Sequence, residues 1–387
     1  MLESLALKQN LNFEFGALFA SNGRELLSSG IHEWISVPAR GGQARGQGLH
    51  AAVEAAFERA RRAGQANPIL VGAIPFDVRE PSCLYVPAAY EWREQAAVAE
   101  IVGEASGGPD LLDQRSLPDE DGFKKAVEHA IVNFRHSDVR KAVLSVIREL
   151  RFAESMDVGR LLAGLRAQNS QGYLFRIPLP DEGELVGVSP ELLIRKEGGR
   201  IVSNPLAGSA KRQPDPQADR AAAEQLERSQ KDQYEHRLVI ENIRSILAPL
   251  CAKLDVPAAP SLMSTAAMWH LSTRIEGALK DPAMTALQLA CIIHPTPAVC
   301  GFPTESAHKL IRYVEPFERG LFTGLVGWCD AQGNGEWAIT IRCGIARHDT
   351  LRLFAGAGIV EASNPASEWE EVQAKLGTML SACGLAA

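Results

Sequence analysis

Glu368, Glu371 and Lys375 fall at i, i+3 and i+7, so a helix would carry all three on one face. Two carboxylates and an ammonium in that pattern suit a metal-held, anionic small molecule. The stretch ahead of them, Gly356-Ala357-Gly358, reads as a loop whose minimal side chains let backbone N–H groups approach an anion. Pro365 stands just before the expected helix start, with Ser367 as the N-cap. A second acidic group lies upstream. Glu235 continues the apolar stripe of Val239, Ile243, Ile246 and Leu250 on a long helical pattern over 218–250, and Asp232 lies one turn earlier. Acidic groups on a buried stripe are costly unless paired or metal-bound.

Four further features have the chemistry for proton transfer or anion binding. Glu191, in Gly187-Val-Ser-Pro-Glu191, sits where Pro190 breaks a strand between two apolar runs. Desolvation there would raise its pKa, as a general acid requires; the alternative is an exposed turn glutamate. Lys141 heads the β-branched strand Lys141–Ile147, either as a solvated strand end or as a functional amine. Period-two alternation sets Ala142, Leu144 and Val146 on one face, and Lys141, Val143, Ser145 and Ile147 on the other. His270, between apolar neighbours, is either a satisfied core histidine or a site residue. Pro205–Arg212 reads as a small-residue loop facing an anion, or as a basic turn.

The elements that must position these groups are legible in outline. Leu49, Val53, Ala56, Phe57 and Ala60 mark a helix, as do Phe123, Val127, Ala130 and Phe134. Phe13 to Phe19, Ile69–Phe76, Cys83–Val86, Tyr173–Ile177, Leu185–Val188 and Leu192–Arg195 read as strands. Leu321–Trp328 and Glu336–Cys343 read as a hairpin closed around Gly333-Asn334-Gly335, with Arg342 closing its second strand. Residues 88–120 have few large apolar groups and read as a mobile connector. Strands in hairpins with helices between favour an α+β fold over a doubly wound sheet. Residues 1–387 read as one domain, with a less regular portion to about residue 120 and a motif-bearing core over 121–387.

The bulk numbers exclude several classes. A net charge of -7 offers no electrostatic footprint for nucleic acid. No run approaches the ~18 apolar residues of a membrane span, and no signal peptide is expected. The 7 cysteines form no C-x-x-C pair and read as free thiols in a reducing cytoplasm. Dinucleotide and P-loop fingerprints are missing.

As a set, the motifs resemble one family. Ala355–Val360 with Pro365 and Glu368-Trp-Glu-Glu371…Lys375 is similar to the C-terminal signature of the chorismate-utilising enzymes, the group of isochorismate, salicylate, anthranilate and aminodeoxychorismate synthases. Gly187–Glu191, Ala207–Ala210, Lys231-Asp232…Glu235-His236, Trp269–Leu271 and Ala338–Arg342 fit as well. Within it the chain looks most like the isochorismate synthases of catecholate-siderophore pathways, through Val71–Asp77, Leu84–Pro87, His294–Ala298 and Gly327–Trp337. The resemblance covers about residue 67 to the end.

The resemblance implies large antiparallel sheets packed face to face with helices outside and the site between them. Members that add ammonia carry glutamine where Lys141 stands and need a glutaminase partner; members that add water carry lysine. It therefore implies water addition at C2 of chorismate with loss of the C4 hydroxyl, with Lys141 as general base and Glu191 as general acid. It implies Mg²⁺ on Glu235 and Glu371, with Asp232 and Glu368 as water-mediated partners. Arg342 would bind the enolpyruvyl carboxylate, and Ala210, His270, Gly356 and Lys375 would complete the pocket. No glutaminase partner is expected, and a monomer is the default. Cys300, Val372 and Val299 stand where serine, threonine and leucine are usual, and Val146 where an arginine often follows Ser145. A pocket altered there could also eliminate pyruvate and release salicylate. A menaquinone-pathway isochorismate synthase and a glutaminase-dependent synthase subunit are the remaining alternatives.

Overall fold

The computed structural model describes residues 16–42, 44–95, 110–169 and 171–385. Its strands are β1 (Leu18–Ser21), β2 (Arg24–Ile35), β3 (Ile69–Ile74), β4 (Cys83–Glu94), β5 (Leu111–Leu117), β6 (Lys141–Phe152), β7 (Tyr173–Pro178), β8 (Glu184–Ser189), β9 (Leu192–Glu197) and β10 (Arg200–Asn204). They continue with β11 (Leu206–Lys211), β12 (Cys251–Asp255), β13 (Ser261–Ser264), β14 (Met268–Ser272), β15 (Ile275–Leu279), β16 (Gly301–Phe302), β17 (Leu325–Asp330), β18 (Gly335–Ile339), β19 (Cys343–Arg347) and β20 (Thr350–Ile359). The helices are α1 (Gly48–Arg62), α2 (Glu120–His136), α3 (Val158–Gln168), α4 (Pro216–Arg228), α5 (Gln230–Leu247), α6 (Ala286–Ile293), α7 (Thr304–Val314) and α8 (Pro365–Ala382).

Every ladder is antiparallel, as the hairpin-rich sequence predicts. Neighbour by neighbour, the large sheet runs β5-β6-β20-β19-β8-β7-β1-β2-β4-β3-β17-β18-β9-β10-β15-β12. The two-residue β16 adds to the free side of β6, opposite Lys141 and Ala142. A three-stranded sheet, β11-β14-β13, stands apart. The large sheet doubles back, so that its two halves face each other. Phe19, Tyr85, Phe175, Phe322 and Phe354 fill the layer between them. Alternation makes this possible. On β3, Ile69, Val71 and Ala73 face this inner layer, while Leu70 and Ile74 face the α1 and α6 side. On β6 and β20, Ala142, Leu144, Val146, Leu353, Ala355, Ala357 and Ile359 pack outward under α2, α3 and α8.

The structure departs from the sequence reading where local signals compete. Residues 88–94 and 111–117 belong to β4 and β5, not to a connector; residues 96–109 of the expected mobile stretch lie outside the described residues, as do Phe13 and Phe15. Most of β5 is exposed and polar because it is an edge strand paired on one side, so apolar alternation is lost. The long helical pattern is two helices broken at Ser229, which caps the second. Pro205–Arg212 is not a turn: Leu206–Lys211 pairs with β14. Gly356-Ala357-Gly358 is extended strand, not a loop, and Asn364 caps α8 in place of Ser367. Arg342 lies in a break between β18 and β19 with φ 49°.

Candidate active site

The inner faces of β6 and β20 carry Val143, Gly356 and Gly358 to one end of the inter-sheet layer, where a cavity opens. Its empty space is about 630 Å³, part of it open to solvent. Glu191, Glu235, His270, Arg342, Gly356, Glu371 and Lys375 all line it, so residues from six separate segments meet there. Ala298, Val299, Phe322, Ile341 and Phe354 form its apolar wall.

Glu191 follows Pro190 between β8 and β9, and its amide donates to Ser189 Oγ at 3.2 Å. The side chain is buried, with Oε1 accepting from the Leu206 amide at 3.4 Å. Burial pushes this carboxyl up to about 7, against the Leu206 N–H and the charges of Lys141, Arg342 and Lys375. Its proton is therefore available near neutral pH, which excludes the exposed-turn reading.

Lys141 is fully buried, which excludes the solvated strand end. Its Nζ lies 3.0 Å from Glu235 Oε1 but off the line of a hydrogen bond. It does not line the cavity itself: Glu235 does, with Lys141 beside it. Gly358 makes the pair possible. A Cβ there would stand 2.1 Å from Glu235 Oε1 and 3.0 Å from Lys141 Cε.

On α8, Lys375 Nζ donates to Glu371 Oε1 at 2.5 Å and to the Gly356 carbonyl at 2.8 Å. Ser209 Oγ also donates to Glu371, at 3.0 Å. Burial pushes Glu371 up, but Lys375 and Lys231 together hold it below the ordinary carboxylate range. Glu368 takes Lys231 Nζ at 2.6 Å; burial and the Glu371 charge push it up to about 7. Asp232 closes the first turn of α5, taking a hydrogen bond from Ser229 Oγ at 2.5 Å. Neither Glu368 nor Asp232 lines the cavity, and Ala210, paired with Trp269 on β14, does not either.

Arg342 is buried, and burial pulls its guanidinium down to about 10 against the nearby Glu371 and Glu191. His270 is held well below the usual imidazole range by burial and by Arg342 and Lys375. It is therefore neutral, and its Nε2 has no protein partner. Ser209 and Thr323 line the cavity but were not singled out in the sequence. Ser209 lies within the Ala207–Ala210 stretch; Thr323, at φ 58°, leaves no local signature. Of the four departures, only Val299 reaches the cavity. Cys300 donates to the Thr304 carbonyl, and Val146 and Val372 pack in the outer core.

Glu235 and Glu371 thus offer oxygen donors to one cavity from two helices. Among the described residues no three His, Cys, Asp or Glu side chains form a metal-binding group. Two carboxylates suffice for Mg²⁺, which keeps several waters and shares its shell with an anionic substrate. The donor set fits that ion and not a closed zinc cage.

Residues 88–384 match the family described as chorismate binding enzyme. The chain is 42% identical over 369 residues to the isochorismate synthase EntC of Escherichia coli strain K12, covering 95% of this chain and 94% of EntC. It is 42% identical over 380 residues to the isochorismate synthase DhbC of Bacillus subtilis strain 168, covering 96% and 95%. A crystal structure from Bacillus anthracis, assigned as the 2,3-dihydroxybenzoate-specific isochorismate synthase DhbC, superposes with a TM-score of 0.90 at 39% identity, covering 98% of this chain and 100% of that one.

Proposed function

The chain belongs to the chorismate-binding enzyme family, and from that membership we propose that it is an isochorismate synthase serving siderophore biosynthesis. The observation that carries the chemistry is a pair. A carboxyl protonatable near neutral pH, Glu191 in the break between β8 and β9, and a fully buried lysine, Lys141 at the head of β6, stand beside one cavity. Water adds at C2 of chorismate as the C4 hydroxyl departs and the double bonds shift. Glu191 gives its proton to the leaving oxygen. Lys141 accepts the proton of the attacking water, which requires a neutral amine released from Glu235.

Arg342, desolvated and cationic, meets a substrate carboxylate with a planar fork. Lys375 orients Glu371 and the Gly356 carbonyl, and neutral His270 offers Nε2 to a substrate hydroxyl. When bound on Glu235 and Glu371, Mg²⁺ would supply positive charge to the ring carboxylate. The apolar wall limits access of bulk water. We place the enzyme in the cytoplasm as a monomer without a glutaminase partner. No described helix is long and apolar enough to cross a membrane.

The test is product analysis with purified protein, chorismate and Mg²⁺. Isochorismate without pyruvate release supports the reading. Stoichiometric pyruvate with fluorescent salicylate would instead make it a salicylate synthase, the outcome to watch given valine at 299. Ammonia-dependent anthranilate would overturn both.

A further inference from the structure

Resting on that reading of the cavity, we propose that Arg319 is a positioning residue for the reaction, with Glu315 as its anchor. Arg319 stands four residues after Glu315, the residue that caps the C-terminus of α7. Both side chains are almost wholly buried, at 2% and 4% exposure. A buried guanidinium is costly unless every donor is used.

Here all five N–H groups are used. Nε and Nη2 grip the two Glu315 oxygens at 2.8 and 2.5 Å. Nη1 donates to the Val299 carbonyl at 2.9 Å and to Thr323 Oγ1 at 3.2 Å. Nη2 donates to the Val143 carbonyl at 2.6 Å. The guanidinium also lies 4.5 Å from the Phe76 ring centroid.

The three acceptors besides Glu315 share one property: Val143, Val299 and Thr323 all line the cavity, from three separate segments. Arg319 itself does not line it. It ties the backs of the walls. Val143 is two residues from Lys141 on the same face of β6, and its amide also donates to the Cys300 carbonyl at 2.9 Å. The planar fork thus fixes β6, the 294–300 loop and the turn before β17 relative to one another. Lysine, a point charge with three donors, cannot reproduce the fork. On its outer side Arg319 lines a separate cleft with Asp77 and His308, about 670 Å³ of empty space partly open to solvent, which gives a small cation access.

The experiment compares wild type, Arg319→Lys and Arg319→Ala in the isochorismate assay, with folding followed by near-ultraviolet circular dichroism and melting temperature. An inactive wild type would refute the proposed function and leave Arg319 out of the matter. With an active wild type, folded R319K should lose about 100-fold in kcat with KM changed less than about threefold, because misplacement of about 1 Å is enough for that loss. Guanidinium at tens of millimolar should restore at least about tenfold to R319A and nothing to Glu191→Gln. A kcat for R319K within about threefold of wild type overturns the proposal. So does a folded R319A whose turnover guanidinium leaves unchanged, since Arg319 would then be a structural tie only. If R319A fails to fold, R319K decides alone.

Discussion

Gly358→Ala should disable the site by one methyl group. Gly358 has an ordinary extended backbone, so alanine brings no conformational strain; the effect is steric. Its Cβ would stand 2.1 Å from Glu235 Oε1, against the 3.0 Å below which real Cβ contacts are essentially never seen. The carboxylate must retreat by about 1 Å. Its distance to Lys141 Nζ, now 3.0 Å, would open accordingly, with Lys141 at 0% and Glu235 at 8% side-chain exposure. Removing one partner of a buried ion pair costs about 3–5 kcal/mol, so a partial opening should cost less, and displacing the carboxylate beside Lys141 by about 1 Å should cost about 100-fold in rate. Initial rates of isochorismate formation and a thermal melt of purified G358A read both effects. Gly199→Ala is the control: its Cβ meets only Pro282 Cβ, at 3.6 Å, and should change neither. A folded G358A with wild-type melting temperature and a rate within about threefold of wild type would refute the reasoning.

Two further outcomes follow from the carboxylates. Glu191 is raised from 4.5 to about 7 by burial, so its protonated form stabilises the fold. That stabilisation, roughly 3 kcal/mol at most, is complete below the unfolded value and is lost as pH rises through about 7. The melting temperature of Glu191→Gln minus that of wild type should therefore grow between pH 5 and 8, while its turnover collapses; a pH-independent difference contradicts the assignment. EDTA should abolish wild-type activity and Mg²⁺ restore it. Glu371→Gln should need at least about tenfold more Mg²⁺, read by titration of the rate; an unchanged Mg²⁺ dependence removes Glu371 from the metal site.

The alternation on Lys141–Ile147 is a local pattern, and it separated the two faces of β6 correctly. The same holds for the helical spacing of Glu368, Glu371 and Lys375, and for the strand break at Pro190 that leaves Glu191 beside the cavity. Spacing along the chain determines these, because residues two apart on a strand or three to four apart on a helix are neighbours whatever surrounds them.

What surrounds them is another matter. Whether Lys141 is a wet strand end or a fully buried amine depends on β16 laid against it and on Glu235 arriving from α5, 94 residues later. Whether Gly356 and Gly358 are loop or strand depends on β6, whose ladder holds glycines that on their own favour no strand. The cavity gains room where β20 turns Gly356 and Gly358, two positions without side chains, toward it, and Arg319 can tie three of its walls only once they are side by side. The residue types and their spacing along each element were written in the sequence. Their burial, partners and proton affinities were decided by contacts between segments far apart in the chain, which no local pattern encodes.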